Sequence, residues 1–474
     1  MFFSKSSFGA AFLSLLSLHG AGVTAHRWFN WQFDITCDAT AFFVPDNETD
    51  LIDFVKAQHT SKTLLKPVGN GHGFGNLTTC VSDEATDRDS YILSLTNLKH
   101  LEVFDNHTVV FGGGWDLIDL IPDLQEHGLQ VANLGSEMVQ NYVGAATTGT
   151  HGTGKQHQNL SNKMIGLRLL DATGKIHVIT EEATPELLKA FRIGLGVLGI
   201  VVEVTLQAEP LTFLKRTTKI VEVPEDSTEM YKEIARIGQK YEQINIIGPN
   251  LKWNYTTQQL DPQTQLSLVY CEETDYKGAK NCSNYAIATP PSGILYRGFM
   301  GQFEHFFPME NLAEAGKDYF NYAQSQADRM KPYHTVDPVE DGMKGYVSDD
   351  VTVITRFVKG DDNWLSPVNK QNLPVNSSGI FATLEYSWIP SYNNYTLQWF
   401  YQDLVNEFIP TFGEKHNVRP HWNKMLFNKE TYASTIYPKI NSWLDIQEKM
   451  DPDCQFVNNF LVESLGIDRC KSLF

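Results

Sequence analysis

Two glycine-rich loops, each with one histidine, contain the residues of this chain that are best suited to hold a ligand. Residues 66–76 read KPVGNGHGFGN and residues 144–154 read GAATTGTHGTG, with the histidines at His72 and His151. Glycine tolerates positive φ and allows close approach of the backbone, so the N–H groups of such loops can converge on a diphosphate. The threonines add short donors without charge. This composition indicates a site for an anionic group that backbone amides neutralise.

A third glycine-rich segment, residues 194–201 (GLGVLGIV), leads into an apolar strand and could line a flat ring such as adenine. The first loop lacks the GxGxxG-to-helix pattern of a Rossmann site and the Lys-Ser/Thr pair of a P-loop. Any one of the three segments could be a structural turn. Their order along the chain, with a histidine in each of the first two, favours a cofactor site of another kind.

Two cations in the second half of the chain, Arg356 and Lys424, could act on a bound substrate. The fork of donors on an arginine can bind a carbonyl oxygen, and a lysine can accept a proton when burial lowers its pKa. His421 stands between Arg419 and Lys424 in the sequence RPHWNK. The alternative for each cation is a surface ion pair.

The elements that must position these residues follow an α+β pattern. Residues 40–59 are predicted to form a strand and then a helix capped at residues 46–47. The other predicted strands are residues 64–68, 91–95, 101–104, 109–111, 164–170, 176–180, 199–207, 220–223, 265–270, 351–358 and 380–388. The other predicted helices are residues 116–126, 185–192, 227–241, 313–330, 397–408 and 432–450.

The pattern of predicted strands and helices changes near residue 209, and this change predicts a division into domains. Residues 26–208 are expected to form a cofactor domain and residues 209–418 a substrate domain, with helices on one side of a sheet. Residues 419–474 are expected to return to the cofactor domain.

The first 25 residues resemble a signal peptide, with a positive residue, an apolar stretch and a small-residue cleavage site before His26. The apolar stretch is too short for a membrane anchor. The net charge of −18 and the absence of Lys/Arg-rich runs argue against nucleic-acid binding. We therefore expect a secreted, extracellular protein.

Cysteines and glycosylation sequons agree with secretion. The six cysteines allow three disulfides, and their spacing suggests the pairs 37–80, 271–282 and 454–470 among 15 possible pairings. No CxxC or CxxH spacing is present, and neither His416 with His421 nor His151 with His157 forms a convincing ligand set, so no metal site is predicted. The eight Asn-x-Ser/Thr sequons are at Asn47, Asn76, Asn106, Asn159, Asn254, Asn281, Asn376 and Asn394.

The motifs PVGNGHG, GTHGTG and LGVLGIVVEVTL resemble the FAD-binding half of the vanillyl-alcohol-oxidase superfamily. Residues 419–424 (RPHWNK) and 356–367 (RFVKGDDNWLSP) resemble segments of its sugar-1,4-lactone oxidase branch, to which alditol oxidase is closely related. The similarity extends from about residue 30 to the C-terminus. It implies a two-subdomain PCMH-type FAD-binding domain and an α+β substrate (cap) domain with an antiparallel sheet.

The resemblance also implies roles for single residues. The histidine of the first loop, His72 here, is bonded to the flavin 8α-methyl group in that family, and the absence of a cysteine from the second loop excludes a second bond there. Arg356, Lys424 and His421 are the implied catalytic residues. The other residues expected to contact FAD are Val68, Gly69, Asn70, Gly71, Gly73, Ala145, Thr150, Thr153, Gly154 and Ile200. A glycan on Asn76 would lie near the flavin, so we expect that sequon to be unused.

One departure from the family concerns the substrate. The family usually has a glutamate two residues before this arginine, where the present chain has Ile354. Glu385, Tyr386 and Ser387 on the next predicted strand are the candidates to substitute for that carboxylate. The implied reaction is oxidation of a D-arabinono-, L-gulono- or L-galactono-type lactone. An alditol or oligosaccharide oxidase is an alternative, and an inactive FAD-fold binding module is an alternative of another class.

The sequence Gly112-Gly113-Gly114 bears on the electron acceptor. In related dehydrogenases a small side chain near the position of Gly114 keeps oxygen from the flavin. Glycine there favours an oxidase with dioxygen as acceptor and hydrogen peroxide as product. The alternative is a flexible turn.

Overall fold

The computed structural model describes residues 26–33, 35–80, 88–254, 256–274, 301–325, 328, 352–371, 373–374, 376–388, 411–424 and 432–474. The expected signal peptide and the predicted helix at 397–408 lie outside these residues. The strands are β1 (His26–Phe29), β2 (Thr36–Ala39), β3 (Ala41–Phe43), β4 (Leu64–Pro67), β5 (Ser90–Leu93), β6 (Leu101–Val103), β7 (Thr108–Gly112), β8 (Leu129–Gln130), β9 (Met164–Leu170), β10 (Ile176–Thr180), β11 (Ile200–Gln207), β12 (Glu209–Pro210), β13 (Leu214–Glu222), β14 (Gln243–Ile247), β15 (Leu251–Asn254), β16 (Gln259–Pro262), β17 (Gln265–Glu273), β18 (Gly301–Pro308), β19 (Thr352–Lys359), β20 (Ile380–Trp388) and β21 (Arg419–Pro420). The α-helices are α1 (Glu48–Ser61), α2 (Leu117–Glu126), α3 (Tyr142–Ala146), α4 (Pro185–Phe191), α5 (Ser227–Lys240), α6 (Leu312–Ser325), α7 (Tyr432–Ile436), α8 (Ile440–Met450) and α9 (Asn459–Leu465).

A three-stranded parallel sheet, in the order β3-β5-β4, carries the first glycine-rich loop. Helix α1 connects β3 to β4 and begins near the predicted position, because the Asn47 side chain accepts a hydrogen bond from the backbone N–H of Asp50. Its residues Leu51 and Val55 are buried in the same core cluster as strand residues of this sheet. Because β4 leads out of this core, it positions the loop that contains His72.

A five-stranded antiparallel sheet, in the order β10-β9-β11-β7-β6, forms the second half of the cofactor-binding region. The predicted hairpin at residues 164–180 is present as β9 and β10, paired antiparallel. Its turn includes Gly174 at φ +82°, a conformation that favours glycine. The β-branched strand predicted at 199–207 is β11, which lies at the centre of this sheet.

A seven-stranded sheet, in the order β13-β17-β14-β19-β20-β18-β21, pairs antiparallel throughout. All of its strands except β21 lie in the predicted substrate domain, and we call it the substrate-side sheet. Alternate residues such as Phe303, Phe357 and Tyr386 lie in one hydrophobic cluster with residues of α5 and α6. The opposite alternation of β18, β19 and β20 carries polar side chains. This arrangement confirms the predicted α+β class with helices on one side of an antiparallel sheet.

The tail differs from the single helix predicted at 432–450. It forms α7 and α8 with a break at residues 437–439, where Pro438 cannot donate a backbone hydrogen bond within a helix. A further helix, α9, was not predicted. Trp422, Tyr437 and Trp443 share one hydrophobic cluster with strands β7, β9 and β11, so the tail packs on the cofactor-binding region.

The disulfides Cys37–Cys80 and Cys454–Cys470 are present as predicted. The third predicted pair includes Cys282, which lies outside the described residues. None of the described helices combines the length and the apolar composition that crossing a bilayer requires.

The sequons differ in accessibility. The side-chain nitrogen of Asn159 donates to Asp361 Oδ2 at 2.9 Å and to Ser366 Oγ at 3.1 Å, and only 1% of this asparagine is exposed. Asn76 is exposed, so the expectation that it carries no glycan rests on its position beside the first loop.

Candidate active site

The first glycine-rich loop packs directly on the C-terminal RPHWNK segment. A Cβ at Gly73 would lie 2.5 Å from Oδ1 of Asn423. The backbone N–H of Phe74 donates to the carbonyl oxygen of Asn423 at 3.1 Å. A side chain at this point would have to displace the amide of Asn423. The segment that contains Lys424 and the loop that contains His72 are therefore adjacent.

The imidazole of His72 is neutral and enclosed. Burial, reinforced by the charge of Lys424, lowers the pKa of His72 to about 4. Its Nδ1 is buried and has no hydrogen-bond partner among the described residues. The ring of Trp31 lies parallel to it, with the ring centroids 4.5 Å apart. A neutral imidazole nitrogen without a partner can form a bond to carbon.

The second glycine-rich loop begins in helix α3, whose N-terminus is capped by the Asn141 side chain through the N–H of Gly144. A Cβ at Gly144 would meet no atom within 4 Å, so the start of this helix borders open space. Gly149 has φ +81°, and Thr150 N–H donates back to the carbonyl oxygen of Ala145 at 3.0 Å. The loop thus folds back on itself beside α3.

The end of this loop is bonded to the substrate-side sheet. The Thr153 hydroxyl donates to the Ile244 carbonyl at 2.6 Å and accepts from the N–H of Phe357 at 3.2 Å. The N–H of Gly154 donates to the Phe357 carbonyl at 2.6 Å. Thr153 and Gly154 are both predicted to contact FAD. The hydroxyl of Thr153 and the N–H of Gly154 therefore connect the loop to β14 and β19. Ile200, another predicted contact, is 1% exposed and lies in an apolar core cluster.

Arg356 lies at the centre of a buried charged cluster on the polar face of the substrate-side sheet. Its Nη2 is 2.9 Å from Glu385 Oε2, and its Nη1 is 3.8 Å from Glu304 Oε1. Nη2 also donates to the hydroxyl of Ser136 at 3.1 Å, in the segment before α3. Burial alone would lower the pKa of Arg356, but Glu385 and Glu304 raise it, so the guanidinium stays charged. The predicted catalytic arginine thus lies at the junction of the two layers.

The sheet register places a carboxylate beside the position where the family glutamate is missing. Ile354 on β19 pairs directly with Glu385 on β20, which pairs in turn with Glu304 on β18. Of the three substitutes suggested by sequence, Glu385 contacts Arg356. The side chain of Tyr386 points into the core on the helix side. The hydroxyl of Ser387 accepts a hydrogen bond from Gln302 of β18.

His421 and His151 flank Glu304. His151 Nε2 is 3.2 Å from Glu304 Oε1, and the rings of His151 and His421 are 5.9 Å apart. Burial would raise the pKa of Glu304, but His151 and Arg356 hold it well below its usual range. Burial lowers the pKa of His421 to about 3, and its Nδ1 accepts from the N–H of Asn423 at 3.1 Å. His421 is therefore a neutral residue that shapes the turn before Lys424.

Lys424 is directed into the same cluster. Its Nζ donates to Oε1 of Gln302 and lies 4.6 Å from the centre of the Phe74 ring. Burial lowers the pKa of Lys424, partly opposed by the charge of Glu385. Burial also raises the pKa of Glu137 to about 7, against the opposing effect of Lys424. The structure therefore brings all three predicted catalytic residues together and adds a titratable carboxyl group beside them.

Sequence reasoning missed several polar residues of this site. Ser136 and Glu137 belong to a loop that was given no role, and Gln302 and Glu304 lie on β18, which was not predicted as a strand. The signal in β18 is the alternation of polar and aromatic residues in its first half, QFEHF. His151 was noticed only as part of its loop.

One group in this cluster has the spacing of a metal site. Ligand atoms of His151, Glu304 and His421 lie within 4.8 Å of one another. These residues are far apart in the sequence, so spacing along the chain could not indicate them. The guanidinium of Arg356 lies 3.8 Å from Glu304 Oε1 and supplies positive charge beside it, and we assign no metal here.

The three glycines at 112–114 are each in tight packing. A Cβ at Gly112, Gly113 or Gly114 would collide with the carbonyl oxygen of Leu98, Val201 or Leu95, respectively. Packing alone therefore requires glycine at 114, and the alternative of a loose turn does not describe this segment.

The residues between the two loops fit a flavin dinucleotide. Open space borders Gly144, and buried polar atoms without a described partner surround the region: His72 Nδ1, Gln140 Oε1, Asn423 Oδ1 and Arg356 Nε. A large polar cofactor would satisfy such atoms, since buried polar groups are normally hydrogen-bonded. The loops offer backbone amides for its diphosphate.

Comparisons with known proteins agree with this site. The family described as FAD binding domain matches residues 39–180, and the family D-arabinono-1,4-lactone oxidase matches residues 307–464. L-gulono-1,4-lactone dehydrogenase of Mycobacterium tuberculosis is 24% identical over 93% of this chain and 99% of its own length. L-gulonolactone oxidase of Bos taurus is 24% identical over 93% and 98%, respectively. D-arabinono-1,4-lactone oxidase of Kluyveromyces lactis is 27% identical over 40% of this chain and 36% of its own length.

Solved structures share the fold. Cholesterol oxidase from B. sterolicum superposes with a TM-score of 0.70 at 14% identity, over 94% of this chain and 97% of that one. A solvent-stable cholesterol oxidase gives a TM-score of 0.67 at 14% identity, over 93% and 97%. Fold and site together define an FAD-dependent oxidoreductase. Within that class, the chain resembles the sugar-1,4-lactone oxidases and dehydrogenases.

Proposed function

We propose that this chain is a secreted FAD-dependent oxidase of a sugar-1,4-lactone of the D-arabinono, L-gulono or L-galactono type, with dioxygen as acceptor and hydrogen peroxide as product. The observation that carries the proposal is the buried cluster of Arg356, Lys424 and Glu385 beside the two glycine-rich loops. The relatives compared above act on lactones of this kind, according to their names.

The cofactor would lie between the loops and be bonded through His72. When bound, FAD supplies a flat two-electron acceptor whose N5 takes hydride from the substrate carbon. His72 is suited to the bond because burial keeps its imidazole neutral. A covalent bond would prevent loss of the cofactor from a protein outside the cell.

Lys424 is the residue that would accept the proton of the substrate hydroxyl. Because burial lowers its pKa, a larger fraction of this side chain than in water is in the neutral amine form, which can accept a proton. Gln302 fixes the amine through a hydrogen bond. Arg356 remains charged and can bind a substrate oxygen through its donors, including Nε, which has no described partner.

Glu385 would bind substrate hydroxyl groups in place of the missing glutamate. Its Oε1 accepts from Gln302 Nε2 at 2.6 Å, and its Oε2 faces Arg356. The carboxylate therefore approaches the substrate from β20 rather than from β19. This displacement favours a second candidate, an alditol or oligosaccharide oxidase, because hydroxyl groups at another position along the substrate would be recognised. An inactive binding module is opposed by the intact Arg356 and Lys424.

Secretion is supported by the leader-like first 25 residues and by two disulfides, which persist in oxidising compartments. Expression of the full chain in a secreting host tests it. N-terminal sequencing of protein from the medium should give His26 or a neighbouring residue as the first residue. Retention of the full leader in cells would contradict the proposal.

The function is tested on the secreted full-length protein by absorbance before and after acid precipitation. Bands near about 375 and 450 nm that stay with the pellet are expected of bound flavin in a covalent link. Lactones, alditols and oligosaccharides are then compared by flavin bleaching and peroxide release. A folded protein without flavin after reconstitution, or flavin that no substrate in the panel reduces, would contradict the proposal.

A further inference from the structure

The N-terminal hairpin of β1 and β2 lies directly on the loop that contains His72. The backbone N–H of Trp31 donates to the carbonyl oxygen of Gly71 at 3.1 Å, and Asn30 Nδ2 donates to the carbonyl oxygen of Gly73 at 3.1 Å. These two bonds hold the backbone on both sides of the histidine. Gly71 has φ +62°, and a Cβ there would lie 2.7 Å from the Trp28 ring, so close approach of the hairpin requires glycine.

The disulfide Cys37–Cys80 fastens the same hairpin to the end of the loop. Cys37 belongs to β2, and Cys80 follows the loop and a short 3₁₀ turn. The hairpin is therefore connected to this part of the chain both through the backbone hydrogen bonds and through a covalent bond. Together these connections restrict movement of the loop away from the hairpin.

The side chain of Trp31 restrains the imidazole itself. The two rings are parallel within 5°, with centroids 4.5 Å apart, and Trp31 is held in turn by an edge contact with Phe74 at 5.4 Å. The χ2 torsion of a histidine is broad. Nδ1 of His72 has no hydrogen-bond partner on another described residue that could fix the ring plane. The stacked indole is thus a contact that restrains the ring orientation.

We propose that Trp31 is a positioning residue for the covalent attachment of FAD to His72. The hairpin holds the loop, and the indole holds the imidazole plane so that a ring nitrogen meets the 8α carbon of the flavin. This inference rests on the proposed function, which includes the bond through His72.

The chemistry of attachment makes orientation matter. A bond forms between an imidazole nitrogen of His72 and the 8α carbon, while the N–H hydrogen of the imidazole and one hydrogen of the methyl group leave with two electrons. Dioxygen accepts both hydrogens and both electrons as hydrogen peroxide, so atoms and electrons balance. Because the nitrogen lone pair lies in the ring plane, rotation of the imidazole turns it away from the carbon. Misplacement of about 1 Å can slow such a reaction by about 100-fold.

The experiment measures attachment in full-length protein that is produced under flavin limitation and then mixed with FAD. The variants are Trp31→Leu, which removes the flat ring, and Trp31→Phe, which keeps one. Phe29→Leu is the matched control, because it removes an aromatic ring of the same hairpin that pairs with Phe33 instead of His72. His72→Ala defines the absence of the bond. Readouts are the rate of formation of acid-stable flavin, FAD occupancy before acid and the thermal unfolding temperature.

The expected result is that Trp31→Leu binds FAD but attaches it on the order of 10- to 100-fold more slowly than wild type. Trp31→Phe and Phe29→Leu should attach it at near wild-type rates. Equal attachment rates in Trp31→Leu and wild type would overturn the inference while leaving the bond through His72 intact. The inference would also be overturned if the attachment rate of Trp31→Leu fell only in proportion to its FAD occupancy. The same holds if Trp31→Phe attached FAD no faster than Trp31→Leu. Wild-type protein without acid-stable flavin would overturn both this inference and the proposed bond.

Discussion

Glu385 lies 2.9 Å from Arg356 although the two residues belong to neighbouring strands. In the family pattern the carboxylate precedes the arginine on the same strand, where this chain has Ile354. Because Glu385 pairs directly with Ile354 across the sheet, the charge is moved sideways by one strand and remains on the same face. The guanidinium of Arg356 thus keeps a carboxylate neighbour. Compared with the family pattern, this carboxylate would approach a substrate from the neighbouring strand.

Replacement of Glu385 by Gln should lower kcat/KM about 30-fold or more. The change leaves a buried charge on Arg356 with a weakened partner, for which losses of about 2–5 kcal/mol are typical. Steady-state kinetics on the best substrate of the panel provide the measurement. The double variant Ile354→Glu with Glu385→Ile returns the carboxylate to the family position and should recover part of the activity on lactones. Unchanged kcat/KM in Glu385→Gln would exclude the role assigned to this carboxylate.

The pH dependence of activity should show the titration of Lys424. A proton acceptor works only in its neutral form, and burial lowers the pKa of Lys424 from the ordinary lysine value of 10.5. Activity should therefore rise with pH along a limb below pH 10.5. Lys424→Arg cannot lose its proton in this range, so it should lack the limb and lose about 100- to 10,000-fold in kcat. The same limb in both proteins would assign the titration to another group.

Stability should fall with rising pH because of Glu137. Its pKa in the folded protein is raised to about 7 from the ordinary value of 4.5, so the folded state binds more protons than the unfolded state between these two values. The associated stability is present at low pH and is lost as pH rises through 7. Glu137→Gln should remove this dependence and raise the unfolding temperature at pH 8 by about 2–4 °C relative to wild type. Parallel curves of unfolding temperature against pH for the two proteins would contradict the prediction.

Gly114→Ala should destabilise the protein regardless of how oxygen reaches the flavin. The added Cβ collides with the carbonyl oxygen of Leu95 in a rigid backbone contact. We expect a loss of about 1–3 kcal/mol, typical of overpacking, seen in thermal unfolding of the flavin-free protein. Gly144→Ala is the matched control, since a Cβ there meets no atom within 4 Å. Equal unfolding temperatures of the two variants would show that the backbone at 114 adapts.

Glycosylation in a secreting host should distinguish Asn159 from Asn106. The Nδ2 of Asn159, which would carry a glycan, is buried and donates to Asp361 and Ser366. Asn106 is exposed in a turn. Glycopeptide mass spectrometry should find the peptide with Asn159 unmodified in folded protein and the peptide with Asn106 modified. A glycan on most copies of Asn159 would contradict the packing described here.

The sequence predicted the elements whose periodicity is strong. The cap at Asn47, the hairpin of β9 and β10 and strand β20 all agree with prediction because local pattern decides them. Strand β18 was missed because all eight of its residues are buried and the alternation of polar and aromatic residues is limited to its first half. The contact of Glu385 with Arg356 depends on strand register, which motif spacing along the chain does not determine.

The buried charged cluster around Arg356 shows the same limit. Arg356 and Lys424 could be identified from their motifs. The pKa shifts of Glu304 and Glu137 depend on residues that are distant in sequence, so no motif indicates them. The resemblance implies a catalytic role for His421, and that role stays a prediction. Its neutral ring accepts a hydrogen bond from the N–H of Asn423, in the segment that carries Lys424.

The bonds from Thr153 and Gly154 to Phe357 have a consequence for protein engineering. Phe357 follows Arg356 on β19, so the end of the second loop is joined to the strand of Arg356 through the N–H and the carbonyl group of one residue. A chimera that exchanges residues 209–418 with those of a relative must form these bonds again between residues 153–154 and the backbone of the new strand. Functional recombination in this scaffold therefore requires a replacement sheet whose backbone follows the path of β19 beside residues 153–154.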